Sequence, residues 1–256
     1  MKVTLDDGWT ATVTDDPLAF APRFEGTSVR VGPYLGKAER ERFLRDTFGS
    51  GAWLWDTPDE VRFDPVRRDL VGVEFQLPHE SASAEDSARV PDALTVRPGG
   101  LRADQARGFR LEMCSVLCRA PGDAVLTALR DLDVLDEPLE ALIGIAPDLA
   151  LLVQHGTAVG WSLTDPARHL TPWFTAPDPA PPSPATRRLL TECLDLITTP
   201  VIDDLTDGEP VALARLRATD EALRAQHEDR HRADALRTLI ATLVEDYANQ
   251  SNNNGE

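Results

Sequence analysis

Lysine is nearly absent from this chain: Lys2 and Lys37 stand against 24 arginines. Cysteine is scarce as well, with only Cys114, Cys118 and Cys193. So few thiols exclude a fold stapled by several disulfides, and none falls in the C-x-x-C spacing of a zinc or redox motif. The start, Met1-Lys2-Val3-Thr4-Leu5-Asp6-Asp7, lacks the apolar stretch of a signal peptide. Together with the odd, low cysteine count it predicts reduced thiols and a cytoplasmic location. Uninterrupted apolar runs are too short for a membrane-spanning helix, which needs about 18 residues or more, so no membrane partner is expected. The G-x-S-x-G elbow is missing too, so a hydrolase of that kind has no visible nucleophile.

What is present suits a globular protein. The chain has 256 residues, 42% of them hydrophobic, enough to bury a core without disulfides or metals. The net charge is −17 and unevenly spread. Residues 1–120 carry 20 acids and 16 bases, a net of −4, whereas residues 121–256 carry 23 acids and 10 bases, a net of −13. Binding a duplex means neutralising phosphates with Lys and Arg, so the second half excludes nucleic acid as its partner. The arginine clusters Arg40, Arg42, Arg45 and Arg67-Arg68 have acids beside them in Glu39, Glu41, Asp46 and Asp69, and read as locally paired.

Periodicity predicts an α+β fold with a largely antiparallel sheet over residues 1–170. Val3–Leu5 and Trp9–Val13 flank Asp6-Asp7-Gly8, a hairpin turn. A strand at Ser28–Val31 leads through Gly32-Pro33 to a helix over Lys37–Phe48 ended by Gly49. Trp53-Leu54-Trp55 opens a strand. Val61–Asp64 and Leu70–Leu77 form a hairpin whose second strand alternates Val71, Val73, Phe75 and Leu77 with smaller or polar residues. Residues 79–92 read as an exposed loop. Phe109–Cys118 reads as a central strand with Cys114 and Cys118 on one face, Asp123–Leu132 as a short helix, and Leu149–Val153 with Ala158–Leu163 as another hairpin. Val71-Gly72 before Pro78 and Val159-Gly160 before Pro166 hint at a duplicated unit. Residues 171–184 hold six of the 20 prolines and form a semi-rigid connector. Ser183-Pro184 then caps and starts a helical segment over 185–249, of two to four helices, and 250–256 is a disordered tail.

Three short motifs suggest chemistry. His227-Glu228-Asp229-Arg230-His231 resembles the H-E-x-x-H motif of zincin metalloproteases. The resemblance implies His227 and His231 as zinc ligands and Glu228 as general base. It covers these five positions only, with charged Asp229 and Arg230 where that family has uncharged residues. On a continuous helix both histidines would face away from the apolar stripe Leu236, Leu239, Ile240, Leu243 and Tyr247. Asp203-Asp204-Leu205-Thr206-Asp207 resembles the D-D-x-x-D motif of isoprenoid synthases, which implies magnesium and diphosphate. That family needs a large helical barrel and a second metal motif, and this sequence has neither. Thr206-Asp207-Gly208-Glu209 instead fits a capping box opening the next helix. Gly32-Pro33-Tyr34-Leu35-Gly36-Lys37-Ala38 is one residue short of a P-loop and lacks its Ser or Thr, so it reads as a turn into a helix.

These observations predict a non-catalytic, acidic protein-binding module of the inhibitor, toxin-immunity or accessory-subunit type. No cofactor is expected, and the partner is another protein with a basic surface. The contact residues expected are Trp53 and Trp55, a strand-end aromatic pair, with Asp203, Asp204 and Asp207. A metal-dependent hydrolase built on His227, Glu228 and His231, or a structural component of a larger assembly, are the alternatives.

Overall fold

The computed structural model describes residues 1–6, 8–51, 59–91, 95–172 and 174–248. Trp53, Trp55, Trp173 and the tail 250–256 lie outside the described residues, and with them the expected strand and aromatic pair. In chain order the strands are β1 (Lys2–Asp6), β2 (Trp9–Thr14), β3 (Arg23–Phe24), β4 (Ser28–Val31), β5 (Phe48–Gly49), β6 (Glu60–Phe63), β7 (Leu70–Gln76), β8 (Glu80–Ser81), β9 (Val96–Pro98), β10 (Gly100–Ala103), β11 (Val116–Arg119), β12 (Val125–Leu129), β13 (Ala141–Ala146), β14 (Leu149–Gln154) and β15 (Thr157–Thr164). The helices are α1 (Lys37–Asp46), α2 (Ala84–Ser87), α3 (Pro166–His169), α4 (Pro184–Ile197), α5 (Val201–Thr206), α6 (Pro210–Ala225) and α7 (Arg230–Leu243). The fold is α+β. No described helix is long and apolar enough to cross a membrane.

Two sheets form. The larger runs β10-β2-β1-β15-β12-β11-β8, with β14, β13 and β9 continuing from the other edge of β15. Most of its pairs are antiparallel; β1 with β15, β8 with β11 and β9 with β13 are parallel. The smaller sheet is fully antiparallel in the order β3-β4-β7-β6-β5. All three hairpins expected from turn chemistry are present. In the β14–β15 turn His155 and Gly156 both have positive φ, 50° and 69°, the backbone that matches the twist of a two-residue hairpin.

The sheets meet through aromatic rings. Phe75 of β7 stacks on Trp161 of β15 at 5.6 Å, and Trp9 of β2 stacks on Phe109 at 4.0 Å while touching Phe63 of β6. Burying each such side chain stabilises the fold by roughly 1.5–3 kcal/mol. One apolar cluster runs from Val3 through these rings to Leu194, Leu216 and Ile240 of the helices. A second, smaller cluster of Cys118, Leu129, Val134, Leu139, Leu152 and Val159 lies on the outer face of the larger sheet.

Several expected elements differ. Residues 125–129, read as part of a helix, are strand β12, paired on both edges by β11 and β15. Val-Leu-Thr-Ala-Leu has the length and apolarity of a buried strand as well as of a helix turn, and the two free edges decided it. The strand expected over Phe109–Cys118 is only Val116–Arg119, so Cys114 and Cys118 do not share a face: Cys114 packs against the main core and Cys118 belongs to the outer cluster. Helix α1 stops at Asp46, because Phe48-Gly49 pairs with β6. The loop 79–92 contains β8 and α2, and Val90 packs under it. Thr206 is no capping box: it ends α5 with its hydroxyl on the Ile202 carbonyl, and α6 starts at Pro210 with no side-chain cap. Ser183 does cap α4, accepting from the Thr186 amide, with Pro184 at the first helical position.

The helical segment is held to the proline-rich connector by one buried ion pair. Arg232 in the first turn of α7 is 1% exposed. Its guanidinium donates to both Asp229 oxygens at 3.0 Å and to the carbonyls of Asp178 and Ala180. Asp229 in turn accepts from the Ser183 amide and the Thr186 hydroxyl of α4. Removing one partner leaves the other charge buried and alone. We therefore expect Asp229→Ala to destabilise the protein by about 3–5 kcal/mol, read as a lowered urea midpoint. A loss below about 1 kcal/mol would show that the connector is held by packing alone.

Candidate functional site

Helices α6 and α7 do not form one continuous rod. The chain turns at residues 226–229, so the H-E-x-x-H resemblance falls across a helix boundary. His227 and Glu228 are exposed in the turn, while His231 begins α7, half-buried, with Nε2 3.2 Å from the Thr171 hydroxyl. Two imidazoles one helical turn apart require an intact helix between them, and Asp229 occupies that place at the α7 N-terminus in the ion pair with Arg232. Among the described residues no three His, Cys, Asp or Glu side chains gather as a metal would need.

The other titratable groups are also occupied. His169 is buried with Nε2 3.2 Å from Asp148, and its ring also bonds the Pro22 carbonyl. Burial pushes its pKa below the ordinary histidine value. Burial pushes the Cys118 thiol up to about 11 and raises Cys114 and Cys193 further, so all three stay protonated and unreactive near neutrality. On the smaller sheet Arg30 clasps Glu25 bidentately and touches Glu74, while Arg40 of α1 bridges Glu74 and Glu60, which face each other across β6 and β7. The turn before α1 is tied by Arg23, whose guanidinium donates to the carbonyls of Tyr34 and Gly32. A phosphate cradle offers amides; this loop offers carbonyl oxygens to a cation.

Carboxylates without counter-charges also cluster on α5 and the turn after it. Asp203, Asp204, Asp207 and Glu209 are all exposed, and none makes an ion pair or side-chain hydrogen bond with a described residue. Two residues on, Val211 is 82% exposed. The buried stripe of α6, Leu213, Leu216 and Leu223, leaves Val211 on the opposite side. That pattern was legible in the sequence, but the significance of Val211 was not. Ile202, next to Asp203, lines a cleft of about 350 Å3 between the smaller sheet and the helices. Ile197, Leu239, Leu243 and Pro172 supply its apolar walls, and the Glu25–Arg30 pair and His79 its polar edge. The His79 ring is 3.2 Å from the Ile197 carbonyl. Gly26, at φ 89°, makes the approach of α7 possible: a Cβ there would sit 2.6 Å from Leu239.

No family model matches this chain, and comparisons with curated proteins and with solved structures return no match.

The expected contact residues are thus divided. Asp203, Asp204 and Asp207 share one exposed corner, and the tryptophan pair lies outside the described residues. The turn at 64–69 carries the 86% exposed Val66, with Arg67 and Arg68 after it and Asp64 and Asp69 at its ends.

One buried carboxylate has no sequence signal. Asp59 is 2% exposed, accepts from the Gln76 amide at 2.6 Å, and lies in the seam beside Trp161 and Cys114. Burial raises its pKa from 3.8 to about 7, against the pull of the Gln76 bond, with the Glu74 charge adding to the rise. The folded state keeps its proton where the unfolded state releases it. Stability contributed by protonated Asp59 is therefore present at low pH and is lost as pH rises through about 4–7. Asp59→Asn should remove this slope and stabilise the protein at pH 8 by on the order of 2 kcal/mol, measured by urea unfolding across pH. Parallel pH profiles for the two proteins would refute the assignment. For the metal motif, His227→Ala should change stability by less than about 0.5 kcal/mol, and chelation should leave the melting temperature unchanged. Stoichiometric zinc in the purified protein, lost in His227→Ala, would contradict this.

Proposed function

We propose that this protein is a non-catalytic binding module that docks a basic segment of another protein on the corner built by α5 and the start of α6. Four exposed, unneutralised carboxylates beside an exposed valine and an apolar cleft carry this reading. Several other acids of the second half do have arginine partners, at Asp123 with Arg119, Asp165 with Arg187, Asp220 with Arg224 and Asp229 with Arg232. Leaving Asp203, Asp204, Asp207 and Glu209 without counter-charges costs self-repulsion that a cationic partner would relieve. Such a field speeds encounter and selects against acidic partners, while burial of Val211 and filling of the cleft by one apolar side chain supply affinity. Hydrogen bonds that engage His79, His169 and His231, and the protonated thiols, favour recognition over catalysis. An inhibitor, an immunity-type protein or an accessory subunit would all work this way.

The test uses defined probes: a short peptide with alternating arginines around one leucine, its leucine-to-alanine version, and a version with glutamates for arginines. Calorimetry should find saturable binding of the first, weakening as salt rises. The triple variant Asp203→Asn, Asp204→Asn, Asp207→Asn should bind it about tenfold more weakly with a flatter salt dependence. Equal binding by the triple variant, or equal binding of the glutamate peptide, would sink the reading.

A further inference from the structure

The outer face of the larger sheet holds a second cavity, which shares no residue with the cleft beside α5. Its volume is about 320 Å3, at the lower end of the roughly 300–1,000 Å3 typical of small-molecule sites. Val125, Leu142 and Leu152 of the sheet and Val90 of the covering segment form its walls. Among the described residues no Asp, Glu, Lys, Arg or His lines it. Two of the nearby arginines are engaged elsewhere: Arg119 holds Asp123 and Asp195, and Arg89 holds Asp86 and Asp136.

Across this apolar surface runs one polar rung. Cys118, Thr127 and Ser162 are direct partners on β11, β12 and β15, and Thr164 sits one rung along, opposite Val125. All four line the cavity. Thr127 is 3% exposed as a residue, and its hydroxyl, which makes no hydrogen bond with a described residue, opens onto the cavity. A hydroxyl that opens into a mostly apolar cavity is left to water, and a polar group on an entering molecule can take that water's place.

We propose that this cavity is a binding site for a small uncharged amphipathic molecule, whose apolar body rests on Val90, Leu142 and Leu152 and whose single polar group bonds the Thr127 and Ser162 hydroxyls. A charged ligand would lose its hydration with no counter-ion to replace it. Hydroxyls both donate and accept, so an alcohol, an amide or an aromatic amine satisfies them equally.

Two fluorescent probes with a common ring system separate the cases: neutral N-phenylnaphthylamine and anionic anilinonaphthalene sulfonate. The neutral probe should bind at one saturable site, and the sulfonate at least about tenfold more weakly. Ser162→Phe, which fills the cavity, should weaken the neutral probe by about tenfold or more. The nearly isosteric Thr127→Val should weaken it roughly three- to tenfold without altering the melting profile. Absence of saturation, equal affinity for the two probes, or unchanged binding in both variants would overturn the proposal. Should Ser162→Phe not fold, amide shifts on probe addition decide. Shifts centred on the lining residues Val90, Cys118, Thr127, Leu142, Leu152 and Ser162 uphold the site, and shifts centred away from the cavity overturn it.

Discussion

The pairing of Asp229 with Arg232 is the constraint on which the helical half depends. A guanidinium 1% exposed would be prohibitive by itself, and it is tolerated because a carboxylate and two backbone carbonyls surround it. Those carbonyls belong to the proline-rich connector, which has few amides to offer a sheet or helix. Asp229 also accepts from the start of α4, so three separate stretches converge on one charge pair. The direction in which α7 leaves its turn follows from this pair. With it goes the placement of Leu239 against Gly26 and the depth of the cleft beyond.

Electrostatics explains where the excess negative charge resides. Inside, nearly every acid has an arginine, and arginine suits this role because its planar fork bonds two carboxylates or a carboxylate and a carbonyl at once. Arg119 between Asp123 and Asp195, and Arg215 between Glu192 and Asp195, are examples. Part of the excess negative charge of the second half lies where no arginine reaches, along α5 and the turn that follows. Burial does the reverse work at the seam of the two sheets, where Asp59 keeps a proton that the same residue would lose in water.

Much of the framework was readable before any tertiary information. The turns Asp6-Asp7-Gly8 and Gln154-His155-Gly156-Thr157 located two hairpins, alternation located β7, and Ser183-Pro184 located the start of α4. Beyond these the reading was weaker where local signals were balanced. Val125–Leu129 carries no periodicity that separates helix from strand. Thr206 through Glu209 has the composition of a cap without the backbone direction of one. The acids of the candidate site were evident from composition, whereas Val211 and Ile202 became meaningful only once their neighbours were known.

Composition and pattern by themselves determined the class of this protein: α+β, acidic toward its end, with an amphipathic helical segment after a proline-rich stretch. These properties follow from residue type and spacing, which act over a few residues. Tertiary structure alone decided which acids are neutralised, which histidines are engaged and where two cavities open. Each of these depends on side chains dozens of positions apart in the chain, such as Thr127 beside Ser162 or Asp178 beside Arg232. Sequence spacing carries no information about such meetings, because they are set by how sheets and helices stack rather than by local conformational preference.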